Sequence, residues 1–118
     1  MKKIIDEIKT FFKNNNWKYE YNKEDNIFIS GLDMGNVLGN VRMFILLEEN
    51  SYNVYMILNS KSEGSNYPLI AEFLHRANYG LKDGNFEMDY RDGEIRYKSF
   101  VNFKNIDVSQ EVIEESII

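Results

Sequence analysis

The chain has 118 residues, of which 43% are hydrophobic, and a formal net charge of -5. This length fits a single domain over residues 1–118 that is large enough to bury a core. The sequence contains no cysteine, which excludes disulfides, thiolate nucleophiles and cysteine-ligated metal sites. The longest uninterrupted apolar run, Met43 to Leu47, is too short to cross a membrane. We therefore expect a cytoplasmic protein without a membrane partner.

The first predicted element is an amphipathic helix from Lys2 to about Lys13. Its large apolar residues recur at helical spacing: Ile4, Ile5, Ile8, Phe11 and Phe12. Aromatic and charged residues then alternate from Trp17 to Tyr21, which predicts a first strand. A polar turn over residues 22–26 leads into a second strand that begins at Ile27.

A segment with glycine at every fourth position, residues 31–39, connects to two very apolar strands, Val41 to Glu48 and Tyr52 to Ser60. The segment lacks the lysine of a phosphate-binding loop, so we interpret it as a bend or bulge, with a ligand-contacting loop as the alternative. Both strands are apolar on two faces, whereas a strand with one wet face alternates. Either helices cover both faces, or a second chain or a peptide closes one of them.

The next helix is predicted from Tyr67 to Lys82, with Asn66 as its N-cap and Pro68 in its first turn. The Asp83-Gly84 pair ends it, as a C-terminal glycine commonly does. A single apolar stripe is expected to face the core: Leu69, Ile70, Phe73, Leu74, Ala77 and Leu81. Tyr79 lies on the far side of the helix.

Two strands follow, the first alternating apolar with acidic residues and the second alternating apolar with basic residues. Between them, Asp92-Gly93 predicts a two-residue hairpin turn. Such a turn places Asp89 opposite Arg96 and Glu87 opposite Lys98, so opposite charges pair on one face. We interpret these carboxylates as members of cross-strand ion pairs and not as a catalytic pair.

Ser109 is a plausible N-cap for a last helix, which we expect to run to Ile118. The predicted element order is therefore α-β-β-β-β-α-β-β-α. Because hairpins predominate, we predict an α+β fold in which helices pack on an antiparallel sheet.

The stretch from Leu69 to Lys98 resembles the YbjN family of small bacterial proteins, which show a helix followed by a hairpin of the form G-x-F-x-x-D-x-x-D-G-x-[IV]-x-[YF]. The matching positions are Gly84, Phe86, Asp89, Asp92, Gly93, Ile95 and Tyr97. The resemblance implies a fold like that of type III secretion chaperones and a role in regulating sensory transduction. It also implies a longer C-terminal helix, so the last helix is expected to be either short here or truncated.

Little in the sequence indicates catalysis. His75 is the only histidine, and its helical phase places it opposite the apolar stripe, without a partner that would make it a general base. We predict no catalytic residue, no metal site and no cofactor. Stacking platforms for nucleic acid require interleaved basic residues, and this chain is acidic, so we also predict no nucleic-acid binding.

The sequence therefore predicts a non-enzymatic protein-binding domain, chaperone-like or regulatory, that binds another protein or itself as a homodimer. The residues predicted to contact the partner are Phe44, Leu46, Tyr55, Ile57, Tyr79 and Phe100. One alternative is a small-molecule sensor or enzyme with a pocket between helix and sheet near residues 31–39. Another is a structural fragment that needs a further C-terminal segment.

Overall fold

The computed structural model describes residues 1–33, 40–58 and 66–117. Over these ranges the chain forms helices and strands in the predicted order. They are α1 (Lys2–Asn14), β1 (Tyr19–Asn22), β2 (Ile27–Asp33), β3 (Asn40–Leu47), β4 (Ser51–Ile57), α2 (Tyr67–Tyr79), β5 (Asn85–Asp89), β6 (Glu94–Asn102) and α3 (Gln110–Ile117). The predicted α+β class is confirmed.

The strands form one six-stranded sheet in the order β1-β2-β3-β4-β6-β5. All of these neighbouring strands pair antiparallel. Strand β6 pairs with β4, while β5 lies outside β6 at the edge of the sheet. The predicted antiparallel sheet is therefore confirmed, and α2 occupies the connection between β4 and β5.

One face of the sheet is covered by α1 and α3, and we call it the helix face. The buried core on this face is formed by Ile4, Ile8, Phe11, Phe12, Phe28, Met43, Ile45, Leu47, Tyr52, Val54, Phe103, Ile113 and Ile117. The aromatic ring of Phe12 stacks on Tyr19 at 4.9 Å between ring centroids and lies 5.9 Å from Phe28. Each large apolar side chain buried in this way contributes about 1.5–3 kcal/mol to stability.

A buried polar network fixes α3 to the sheet. The Ser116 hydroxyl donates to the carbonyl of Ile113 at 2.8 Å, so the buried Tyr52 hydroxyl is the donor in its 2.7 Å hydrogen bond to Ser116 Oγ. Ser99 Oγ donates to the Ser116 carbonyl at 3.0 Å. Burial raises the pKa of Tyr52, although its hydrogen bond to Ser116 offsets part of that effect. These bonds set the position of α3 along β4 and β6, because hydrogen bonds are directional and apolar contacts are not.

Helix α2 differs from the prediction in its length and in its buried side. It ends at Tyr79 instead of Lys82. Leu74 is buried, but Leu69 and Phe73 are 68% and 69% exposed. The predicted apolar stripe is thus only partly buried. The physical reason is that α2 packs beside the edge strand β5, and a helix in that position buries a narrower strip than one lying across a sheet.

The hairpin also differs from the prediction, because its loop has four residues, Tyr90 to Gly93. Gly93 has a positive φ of 78° but Asp92 does not, whereas a two-residue type I′ turn requires positive φ at both positions. The Gly93 N–H instead donates to the Asp89 carbonyl at 2.7 Å. The register therefore shifts by two residues, with Glu87 opposite Arg96. A shift of two keeps every side chain on its predicted face.

A substitution at Gly84 tests the turn between α2 and β5. Gly84 has φ +74°, and a Cβ there would collide with the ring hydroxyl of Tyr97, which donates to the Asp83 carbonyl at 2.6 Å. We expect Gly84→Ala to lower the free energy of unfolding by about 1–3 kcal/mol, measured by urea denaturation.

The matched control is Gly80→Ala, at the C-cap of α2. Gly80 has φ -91°, and an added Cβ would meet no atom closer than the Ala77 carbonyl oxygen at 4.0 Å. We expect this variant to change stability by less than about 1 kcal/mol. Equal destabilisation by the two substitutions would contradict the role assigned to the left-handed conformation of Gly84.

Candidate protein-binding surface

The sheet face opposite α1 and α3 keeps its apolar side chains partly exposed, and we call it the open face. Its apolar side chains are Ile27, Ile29, Phe44, Leu46, Tyr55, Ile57 and Phe100. Most of them are half-buried, and Phe100 is 53% exposed. Because successive side chains of a strand point to opposite faces, the covering of one face by helices leaves this second set for solvent or a partner.

The strand register brings the predicted contact residues together. Phe44 lies directly opposite Tyr55 on the neighbouring strand. Leu46 lies opposite Asn53, and Asn53 in turn lies opposite Phe100. Cross-strand neighbours on one face are within contact distance of each other. These side chains therefore form a continuous surface across β3, β4 and β6.

Ile57 also belongs to the open face, where it lies between Arg42 of β3 and Arg96 of β6. Tyr79 does not, since it lies on α2 and is 96% exposed. Five of the six predicted contact residues thus share one surface, and Tyr79 lies apart from it. The role of these five residues in binding stays a prediction, and Tyr79 is not expected to share their contact because it lies apart from them.

Two arginines extend the open face, and sequence reasoning missed their contribution. The Arg42 guanidinium lies 5.9 Å from the ring centroid of Phe44, and that of Arg96 lies 4.6 Å from the ring of Tyr55. Such cation–π contacts contribute about 0.5–1 kcal/mol at exposed sites. The sequence could have predicted the position of Arg42 on the open face. Arg42 and Phe44 are two residues apart on one strand, so their side chains share a face.

Glu87 links two of the cations on this face. Its carboxylate accepts from Arg96 Nε at 2.7 Å and from Lys98 Nζ at 2.9 Å. Burial alone would raise the pKa of Glu87, but the hydrogen bonds from Lys98 and Arg96 outweigh it and hold that pKa below its ordinary value. The predicted contact between Glu87 and Lys98 is present, as a diagonal pair. Asp89 and Glu94 lie on the same face beside Arg96, so the carboxylates of the hairpin offset both cations.

Asp89 pairs with Arg91 and not with Arg96 as predicted. Arg91 Nη2 lies 2.8 Å from Asp89 Oδ2, and the Arg91 backbone N–H donates to Oδ1 at 2.9 Å. These bonds lower the pKa of Asp89 to about 2. The four-residue loop is the cause, since it turns Arg91 back onto Asp89 and moves Arg96 opposite Glu87.

The described part of the chain does not bring the remaining candidate residues His75 and Gly31 together into a second site. His75 is exposed on α2. In the predicted loop at residues 31–39, Gly31 pairs with Arg42, and residues 34–39 lie outside the described part of the chain. Among the residues that the structure describes, no three histidine, aspartate or glutamate side chains are grouped to hold a metal ion. Within the same ranges, no helix is long and apolar enough to cross a membrane.

The acid dependence of stability tests the carboxylates of the hairpin. A carboxyl whose pKa is depressed in the folded state stabilises the fold above its unfolded pKa of about 4 and loses that contribution as the pH falls. We expect the Glu87→Gln, Asp89→Asn double variant to have a shallower fall in unfolding free energy between about pH 4 and 2 than the wild type. Urea denaturation at each pH measures it.

The control is Glu24→Gln, a charge-neutralising change at an exposed position in the turn between β1 and β2. We expect this variant to keep the wild-type slope. If the hairpin variant also kept that slope, the ion pairs of Glu87 and Asp89 would not be contributing to stability in solution.

Comparison with known proteins identifies a similar fold. The sequence matches no family model and no curated protein. Among solved structures, the chain is similar to YbjN, a proposed transcription regulator from E. coli, with a TM-score of 0.68 and 11% sequence identity. The similarity covers 96% of this chain and 79% of that one. At this identity the likeness establishes the fold, which is that of YbjN.

Proposed function

We propose that this chain is a non-enzymatic protein-binding domain, chaperone-like or regulatory, that acts in the cytoplasm as a homodimer. The observation that carries the proposal is the open face, where Phe44, Tyr55 and Phe100 join Leu46 and Ile57 in one surface. We also infer membership of the YbjN family, because the seven hairpin motif positions and the fold point to it independently.

The composition of the open face favours a protein partner. Aromatic residues and arginine are the residue types most enriched at the energetic centres of protein interfaces. Here Phe44 and Tyr55 lie opposite each other on neighbouring strands, and each ring has a guanidinium at 5.9 Å or less from its centroid. A contiguous and partly exposed apolar surface of this kind typically marks a binding site in a folded protein.

The charges beside the apolar residues indicate the chemistry of the partner segment. The cations beside Phe44 and Tyr55 are Arg42, Arg96 and Lys98. The carboxylates of Glu87, Asp89 and Glu94 lie together on the hairpin, so Arg42 on β3 is the cation farthest from them. A segment with apolar side chains at its centre and carboxylates at one side would complement this arrangement. We therefore propose an acidic, amphipathic segment of another protein as the ligand of the open face.

The regulatory part of the proposal has separate support. YbjN, whose fold this chain shares, is described as a proposed transcription regulator. A regulator that acts through protein contacts needs no catalytic group, and the open face offers a surface for such contacts. Control of another protein's activity is thus the process that we assign to this domain.

A peptide-binding experiment tests the proposal. Peptides selected from a random twelve-residue library on the wild-type domain are expected to be rich in aromatic and acidic residues. Tyr55→Ser removes the ring that Arg96 covers, and we expect it to weaken binding of the selected peptides about tenfold or more, measured by fluorescence anisotropy. The matched control is Tyr79→Ser, an identical change on α2, which should leave the affinity unchanged.

Two further measurements make the result decisive. Urea denaturation must show that the Tyr55→Ser variant is folded, since loss of the fold would mean that Tyr55 is ordinary core. A labelled single-stranded oligonucleotide is titrated in parallel, and we expect no binding because the net charge is -5. Equal peptide binding by both tyrosine variants, or tight binding of the oligonucleotide alone, would contradict the proposal.

A further inference from the structure

The two edges of the sheet differ in how they are protected. The edge strands are β1 and β5, and edge strands present unpaired backbone groups to solvent. At β5 the Asn78 side chain of α2 accepts from the Phe86 N–H at 2.6 Å and donates to the Phe86 carbonyl at 3.0 Å. One amide group thus pairs with both outward backbone groups of Phe86, as a neighbouring strand would. The β5 edge is therefore covered at Phe86.

The outward backbone groups of β1 belong to Tyr19 and Tyr21. The Leu47 N–H donates to the Asn26 carbonyl at 2.9 Å, so in the alternating pattern of an antiparallel ladder Ile27 and Ile29 direct their backbone groups toward β1. Their partners on β1 are Asn22 and Glu20, whose backbone groups therefore point toward β2, whereas the backbone groups of Tyr19 and Tyr21 point outward. Across the described ranges, no strand pairs with β1 on its outer side.

The sequence around this edge is complementary to itself. Residues 17–21 read Trp-Lys-Tyr-Glu-Tyr, with a cation and an anion placed symmetrically about Tyr19. If a second copy ran antiparallel beside the first with Tyr19 opposite Tyr19, each Lys18 would lie opposite a Glu20. Trp17 would lie opposite Tyr21 and could meet it through its side chain, because it precedes β1 and its N–H already donates to the Phe12 carbonyl at 2.9 Å. Opposite charges would then pair on the open-face side and aromatic rings on the helix-face side.

We propose that a second copy of this chain pairs with β1 about a two-fold axis at Tyr19, so that the two sheets join into one. This inference rests on the homodimer in the proposed function and names its interface. Tyr19 directs its N–H and carbonyl outward, as a hydrogen-bonded pair at the axis requires. An axis at Glu20 would instead place two carboxylates opposite each other, which is unfavourable.

The charged side chains of this contact are exposed, whereas the aromatic ones pack partly on their own chain. Lys18 and Glu20 are exposed, and Trp17, Tyr19 and Tyr21 are half-buried against α1 and β2. A single strand pair falls in the class of weak interfaces that bury less than about 1,200 Å². The dimer is therefore expected to dissociate at micromolar concentrations, which sets the range for the experiment.

Charge reversal tests the interface by sedimentation velocity from 1 to 200 µM, a range that brackets roughly micromolar dissociation. Lys18→Glu and Glu20→Lys each turn two attractive cross-strand pairs into repulsive ones, and we expect each to weaken the dimer about tenfold. A 1:1 mixture of the two variants restores opposite charges across the axis, so dimer should reappear. The double variant Lys18→Glu, Glu20→Lys should also dimerise.

The outcomes separate this inference from the proposed function. Tyr55→Ser is expected to dimerise like the wild type, because Tyr55 lies on β4, away from the β1 edge. A dimer that is lost in the Tyr55 variant and indifferent to both charge reversals would place the interface on the open face and overturn the inference. A wild-type monomer throughout the range would also overturn it, while leaving peptide binding by the open face standing.

Discussion

The packing of α1 against one face of the sheet is the interaction on which the other features depend. Phe12 is fully buried between α1 and the strands, where it contacts Tyr19 and Phe28. This contact fixes which side chains of β1 and β2 face the core, and the strand register extends the same alternation to the rest of the sheet. A one-residue slip of β3 would bring Arg42 and Phe44 into the core in place of Met43 and would leave a buried cation there.

The open face and the β1 edge are geometrically independent surfaces. A two-fold axis between antiparallel strands of one sheet runs perpendicular to that sheet, so both copies would present Tyr55 and its neighbours on the same side. A partner with two recognition segments would then meet two sites held at a fixed distance. Binding of the second segment would be intramolecular, which raises the overall affinity without any new contact.

Much of this architecture can be predicted from the sequence. The alternation of side chains along a strand, and hence the side of the sheet that each occupies, depends only on neighbouring residues. The alternation in β3 and β4 was sufficient to group Phe44 with Leu46 and Tyr55 with Ile57. Hairpin loop length was not predictable in the same way, since it depends on whether Asp92 adopts a positive φ, and that preference is weak for aspartate. The exposure of Leu69 and Phe73 was also missed, because a pattern shows which residues are apolar and not what covers them.

The covering of the β5 edge by Asn78 has a consequence for stoichiometry. A subunit with two available edges adds copies without end and forms a fibre, whereas a subunit with one available edge closes when it pairs with itself. The Asn78 amide occupies the outward backbone groups of Phe86 with two hydrogen bonds, so a further strand cannot pair with β5 at that residue. In the proposed dimer they would limit the assembly to a pair, because an edge covered in this way cannot add a further strand.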